Sequence, residues 1–204
     1  MKLYYSPSSP YVRKVTVVAL ETGLDSRIER IPAATTPVAP NEAVARANPL
    51  AKVPALVTDD GLVLFDSRVI CEYLDSLHQG PKFFPAGKDR WPALRLQALG
   101  DGLLDAALLL RYEDFLRPET LRWKDWADGQ SFKMRGALAD IEKLAPDFGD
   151  RLDIGTVTVA CALGYLDFRY ADMNWRGSHP QTAAWAERFF ARPSLKATLP
   201  VNPA

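Results

Sequence analysis

Strand signals stop near residue 80, and that change limits the chain to a mixed α/β unit followed by an all-helical one. Before it, Lys2-Leu3-Tyr4-Tyr5 is a short apolar run that reads as a strand. A helical run follows from Pro10 to about Thr22, with Tyr11, Val15 and Val18 on one face and Arg13 and Lys14 turned away. Gly23 ends it, and Leu24 can fold back on it. Arg27 to Ile31 alternates and reads as a second strand. Pro32 to Pro40 reads as a loop, with a brief helical turn around Glu42 to Arg46. Ala55 to Thr58 is a third strand, Asp59-Asp60-Gly61 a hairpin turn, and Leu62 to Phe65 a fourth strand. Asp66-Ser67 then opens a helix with Val69, Ile70, Tyr73, Leu74 and Leu77 as its buried stripe and Arg68, Glu72 and Asp75 facing out.

Gln79 to Asp89 holds two glycines and two prolines without periodicity, so it reads as a linker. After it the period is helical. Trp91 to about Arg117 carries Leu94, Ala98, Leu99, Leu103, Ala106 and Leu109 on its apolar side, and Pro118 interrupts it. Thr120 to about Leu144 is a second run, with Trp123, Trp126, Phe132, Ala137, Leu138, Ile141 and Leu144. Ile154 to about Tyr170 is the most apolar run and is expected at the centre. Thr182 to Ala191 is a fourth, around Trp185, Phe189 and Phe190. All five tryptophans lie in this half. The expectation is an α/β domain over 1–80 and an all-α helical bundle over 88–204.

Composition narrows the function classes. The 25 basic and 25 acidic residues balance, whereas nucleic-acid binding calls for a basic surface. No apolar run reaches membrane-spanning length, and Arg13 and Lys14 break any signal-peptide core near the start. Cys71 and Cys161 sit in helical, mostly apolar runs and read as buried thiols of a cytoplasmic protein. His78 and His179 are too isolated to suggest a metal site.

The stretch with chemical promise is Ser6-Pro7-Ser8-Ser9-Pro10-Tyr11, at the junction of the first strand and first helix. Ser9 can cap the helix, and Pro10 suits its first position. A hydroxyl there also sits where amide N–H groups and the helix dipole favour negative charge, an anion or a thiolate. Both readings are open from this stretch alone.

Four local patterns taken in order make the chain resemble the glutathione S-transferase family over nearly its whole length. They are Ser-Pro-Tyr-x-Arg at Ser9 to Arg13, Asn48-Pro49-x-x-Lys52-Val53-Pro54-Ala55-Leu56, Asp66-Ser67 opening a helix, and Ala191-Arg192-Pro193-Ser194 near the end. The nearest flavour is a bacterial serine-type enzyme, similar also to the plant tau type. The resemblance implies a thioredoxin-like first domain, glutathione as co-substrate without a metal, a homodimer, a cytoplasmic detoxification role, and neither nucleic acid nor membrane as partner. One departure concerns the central helix, which this family usually opens with a Ser/Thr cap and an Asp three residues on. Here Asp153 is expected at the cap and Thr156 at the third position, with the roles exchanged and the cap intact.

Carried onto these residues, the resemblance implies that Ser67 offers hydroxyl and N–H to the γ-glutamyl carboxylate and Asp66 pairs with the γ-glutamyl amine. Val53, beside a cis Pro54, would hydrogen-bond the cysteinyl backbone, and Lys52 would approach the glycyl carboxylate. Ser9 would donate to the thiolate as the catalytic hydroxyl, with Ser6 and Ser8 as competitors. Each pattern also has a purely structural reading, as a cap or a turn. The redox pair of a Cys-Pro-Tyr-Cys site is missing, because Ser9 and Val12 stand in its place. The electrophile pocket would draw on the first long helix, where Asp101, Asp105, Arg111, Tyr112 and Glu113 are the polar positions. The expected activity is conjugation of glutathione to a small hydrophobic electrophile. The alternative is a non-catalytic relative that keeps the fold to bind a partner protein.

Overall fold

The computed structural model describes residues 1–202, which form two compact units. One comprises residues 1–86 with the chain's last segment from 193 on; the other comprises 87–192. The first unit contains β1 (Lys2–Tyr5), α1 (Pro10–Glu21), β2 (Glu29–Pro32), α2 (Glu42–Ala47), β3 (Ala55–Val57), β4 (Val63–Leu64), α3 (Ser67–Ser76) and α9 (Pro193–Ala197). The second contains α4 (Arg90–Phe115), α5 (Lys124–Leu144), α6 (Ile154–Arg169), α7 (Trp175–Ser178) and α8 (Pro180–Phe190).

In the first unit the sheet order is β2-β1-β3-β4, with β1 parallel to β2 and both other pairs antiparallel. Leu3 and Leu56 pair across β1 and β3 and are buried, as are Val15, Val18, Ile70 and Leu74 from the packed pair α1 and α3. Gly23, at φ +72°, lets the chain reverse after α1, and the Leu24 N–H donates to the Ala19 carbonyl at 2.8 Å. Strand β2 begins at Glu29, later than expected, because Asp25–Arg27 winds into a 3-10 turn.

Two expected faces are wrong in this unit. Arg13 and Lys14 are 5% and 0% exposed instead of solvated. Helix α1 packs against α3 and also against α9, which returns from the far end of the sequence. There the Arg13 Nη2 donates to the Leu195 carbonyl at 3.1 Å, and Ser194 Oγ donates to Glu21 at 2.5 Å. In α3, Val69 and Leu77 are exposed and Asp75 is buried, against expectation, while Cys71 is buried as expected. The Asp75 carboxylate accepts from the N–H groups of Phe83 and Phe84 at 2.8 and 3.1 Å and meets His78 Nε2 at 2.9 Å. It fixes the chain where it leaves α3, a demand that apolar periodicity does not register.

In the second unit α6 is the central helix, buried continuously from Ile154 to Leu166. A Cβ added at Gly155 would lie 2.7 Å from the Ala93 carbonyl, and one at Gly100 would lie 2.9 Å from Thr158 Cγ2. Those two glycines set how closely α4 and α6 approach. The buried face of α4 therefore runs through Ala93, Leu96, Gln97, Gly100, Leu104 and Leu110, while Ala98 and Leu109, expected inside, are exposed. In α5, Ala137, Leu138 and Ile141 are buried, but Trp123, Trp126 and Phe132 are exposed. Trp185 packs edge-on to Phe148 and beside Phe189, with ring centroids 5.0 and 4.7 Å away. Among the described residues no helix is long and apolar enough to cross a membrane.

Candidate functional site

The sheet register brings three of the sequence patterns to one end of the first unit. Strand β1 ends at Tyr5, and its Tyr4 pairs with Ala55 at the start of β3. The Ser6–Ser9 loop thus leaves β1 at the edge where Pro54 enters β3. Leu56 pairs with Leu64, so β4 leads into Asp66 at the end of the sheet where Pro54 enters β3. Ser9, Val53-Pro54 and Asp66-Ser67 consequently line the same rim.

Ser9 is the cap of α1. Its Oγ accepts from the Val12 N–H at 3.3 Å, with extended backbone at φ −81° and ψ 120°. That bond uses a lone pair and leaves the hydroxyl hydrogen out of it, so capping does not consume the donor that a thiolate would need. The Ser9 N–H donates to the Ser6 carbonyl at 3.1 Å. Ser6 is buried, and its Oγ lies 3.3 Å from Ser8 Oγ, so these two hydroxyls are partly committed to each other.

The Val53–Pro54 bond is cis. Asn48 holds this loop: it is buried, its Nδ2 donates to the Lys52 carbonyl at 2.8 Å, and its Oδ1 accepts from Leu50 N–H at 3.0 Å. Ala51 is left-handed at φ 52°, its N–H donates to the Asn48 carbonyl at 2.8 Å, and its carbonyl accepts from Thr35 Oγ1 at 2.9 Å. The sequence reading gave Asn48 no role. The available signal was an asparagine between a helix end and a proline, where its side chain can close a turn on its own backbone. The Lys52 side chain is exposed and Val53 half-buried.

Asp66 caps α3, with Oδ1 accepting from the Arg68 N–H at 2.9 Å, and its side chain stays exposed. Ser67, 2% exposed, is the first helical residue, so its hydroxyl and N–H share the positive end of α3. The rim therefore offers an anion site, a carboxylate, an extended backbone segment beside a cis proline, and a hydroxyl at a second helix N-terminus. Neither cysteine contributes, as both are buried and neither is in a disulfide. Among the described residues no group of three or more acidic, histidine or cysteine side chains could hold a metal.

The five polar positions expected on α4 divide. Asp101 is buried. Glu113 serves the turn after α4, accepting from Arg117 Nε at 2.7 Å and from the Trp123 N–H at 2.6 Å; these bonds, against a smaller opposing burial, hold its carboxyl below the usual range. Asp105 is exposed, and Arg111 and Tyr112 are half-buried.

Residues 8–77 match the model of the glutathione S-transferase N-terminal domain, and residues 124–188 match that of the C-terminal domain. The chain is 34% identical to the uncharacterized GST-like protein YibF of Escherichia coli (strain K12), over 98% of each chain. It belongs to the glutathione S-transferase family. Family structures agree closely. A member from Pseudomonas fluorescens Pf-5, solved with bound glutathione, is 48% identical over 98% of each chain, with a TM-score of 0.96. A second structure of that member, with bound S-(propanoic acid)-glutathione, is 46% identical over 98% of this chain and 100% of the other, with a TM-score of 0.91. The fold expectation, a small mixed α/β domain followed by a helical one, is that of the family.

Proposed function

We propose that this chain is a glutathione transferase that binds glutathione along the rim of its first unit and joins the sulfur to a small hydrophobic electrophile. The observation that carries this reading is the convergence of Ser9, Val53-cis-Pro54 and Asp66-Ser67 at one sheet end. Those groups answer the tripeptide part by part. The γ-glutamyl carboxylate meets the Ser67 hydroxyl and the N-terminus of α3, and Asp66 pairs with the γ-glutamyl ammonium. The cysteinyl backbone hydrogen-bonds to Val53 like an added strand, and Lys52 faces the glycyl carboxylate. Glutathione bound in the Pseudomonas fluorescens relative supports the same ligand here.

Ser9 does not attack. Its hydroxyl donates to the sulfur, and the α1 N-terminus adds positive potential. A free thiol ionises near a pKa of roughly 8.5, so little thiolate exists at neutral pH. Lowering that by two units takes about 2.7 kcal/mol, within reach of one charge-assisted hydrogen bond and a helix dipole. The proton leaves to solvent, the thiolate forms a carbon–sulfur bond, and the leaving group departs with its electron pair. The protein acts as a cytoplasmic homodimer, and sedimentation at micromolar concentration tests that assembly.

Retention on immobilised glutathione followed by assay with a generic aryl halide tests the function. The expected result is specific elution by glutathione and conjugation well above the uncatalysed rate. Retention without conjugation would support the non-catalytic alternative.

A further inference from the structure

Within the first unit, Ser9 sits between two sets of contacts made by one segment from the far end of the sequence. On its N-terminal side the Pro7 carbonyl accepts from the Val201 N–H at 3.4 Å. On its C-terminal side the Arg13 guanidinium donates through Nη2 to the Leu195 carbonyl at 3.1 Å and through Nε to Thr198 Oγ1 at 3.4 Å. The Thr198 hydroxyl itself donates to the Ser194 carbonyl at 2.8 Å, so its hydrogen is used there and a lone pair remains for Arg13. Residues 194–201 thus reach both flanks of Ser9.

The two sets serve different ends. A helix leaves its last carbonyls without partners of its own, and Arg13 and Thr198 satisfy two of them in α9. That much only docks α9. The Val201 bond lies beyond α9, which ends at Ala197, and contributes nothing to that helix. Leu199 and Val201 stay exposed, at 65% and 54%, so burial of their side chains does not account for the path. The loop on the receiving side has little else to hold it. Pro7 has no N–H to give, and the one backbone bond across the loop runs from the Ser9 N–H to the Ser6 carbonyl at 3.1 Å. The Arg13 N–H donates to the Ser9 carbonyl at 3.0 Å, so the first turn of α1 and the serine move together. A shift of Pro7 or of Arg13 therefore re-aims the Ser9 hydroxyl, and a hydrogen bond weakens steeply once misaligned.

We infer that residues 194–201 brace the Ser6–Ser9 loop, and that through this brace Arg13 and the Val201 N–H are positioning groups for the Ser9 hydroxyl. The second half rests on the reading of Ser9 as the donor to the glutathione sulfur. Neither Arg13 nor Val201 touches the tripeptide in this account; both act through Ser9.

The test uses the full chain carrying Val201→Pro, which removes the donating N–H, Val201→Ala, which keeps it, or Arg13→Lys, which keeps the charge and loses the fork. Amide hydrogen exchange at Ser9, without glutathione, reads the brace. Ultraviolet thiolate absorbance of bound glutathione, titrated against pH, reads its consequence. In Val201→Pro and Arg13→Lys the Ser9 amide should exchange about fivefold faster, and the thiolate curve should move up by about half a unit to one unit. Val201→Ala should match wild type in both. Added to Ser9→Ala, Val201→Pro should move the curve no further, because no hydroxyl is left to position. Arg13 is buried, so if Arg13→Lys does not fold, Val201→Pro decides alone. Unchanged exchange in Val201→Pro would overturn the brace. A thiolate curve that stays in place in Val201→Pro while Ser9→Ala moves it, or one that moves equally with and without the Ser9 hydroxyl, would overturn the positioning role. If Ser9→Ala leaves the curve in place, the donor reading of Ser9 fails and the positioning role with it, and faster exchange in Val201→Pro would still establish the brace.

Discussion

Asp153 and Thr156 satisfy each other's backbone at the start of the central helix. The Thr156 N–H donates to Asp153 Oδ1 at 2.9 Å, and the Asp153 N–H donates to Thr156 Oγ1 at 3.0 Å. Arg151 Nε adds a contact to the second Asp153 oxygen at 2.8 Å. The pair is buried, so removing one partner orphans a backbone group that water cannot reach. Asp153→Ala should lower unfolding free energy by about 1–2 kcal/mol, and Thr156→Ala by a similar amount. The double variant should cost less than the sum, because the two bonds belong to one box. Urea midpoints of the three variants measure this.

This cap was legible in the sequence because it is local: an aspartate, three residues, a threonine and an apolar run. The same holds for Ser9 before Pro10 and for Asp66 before α3, whereas the cis Val53–Pro54 bond was expected only from the family resemblance. What was not legible came from distant partners. Arg13 looked like a solvated residue until α9 returned to cover it. Asp75 looked like a surface carboxylate until Phe83 and Phe84 turned their N–H groups onto it. The α4 stripe was right at Leu103 and Ala106 but wrong at Ala98 and Leu109, because Gly100 and Gly155 also decide which face touches α6. Exposure of Trp123, Trp126 and Phe132 was equally hidden, since apolar character alone does not say which side a helix buries.

A second cap of this tertiary kind links α5 to α8. The Glu142 carboxylate accepts from the Gln181 N–H at 2.9 Å, the Thr182 N–H at 2.8 Å and Thr182 Oγ1 at 2.7 Å. Burial raises its pKa, but the bonds from Thr182 and Gln181, with His179 nearby, outweigh that and leave it below the ordinary 4.5. A carboxyl lowered in the folded state stabilises fully above its unfolded value and loses that contribution as pH falls through the folded one. Wild type should therefore lose stability below about pH 4.5 in part through this group. Glu142→Gln should be less stable at pH 7 and show a shallower decline into acid, read from urea midpoints at pH 3 to 7.

At the rim, Asp66→Ala and Ser67→Ala should each weaken glutathione binding by about 1.5–3 kcal/mol, the range for hydrogen bonds to charged groups. Asp66→Ala should also lower stability by about 1 kcal/mol, since it removes the α3 cap, whereas Ser67→Ala leaves that cap in place. Titration calorimetry below the unfolding temperature separates the two effects. Unchanged affinity in both variants would remove the γ-glutamyl assignment.

The central claim is that the Ser9 hydroxyl stabilises the glutathione thiolate, and ultraviolet thiolate absorbance of the bound tripeptide, titrated against pH, tests it most directly. Wild type should ionise well below a free thiol, and Ser9→Ala should move the curve up by about one to two units. Affinity should change little, because most binding comes from the other end of the tripeptide. Turnover at neutral pH should fall with the thiolate fraction. Ser6→Ala and Ser8→Ala, whose hydroxyls lie 3.3 Å apart, should shift the curve less. A curve that stays in place in Ser9→Ala but moves in Ser6→Ala or Ser8→Ala would contradict the account and leave Ser9 as the cap of α1 alone.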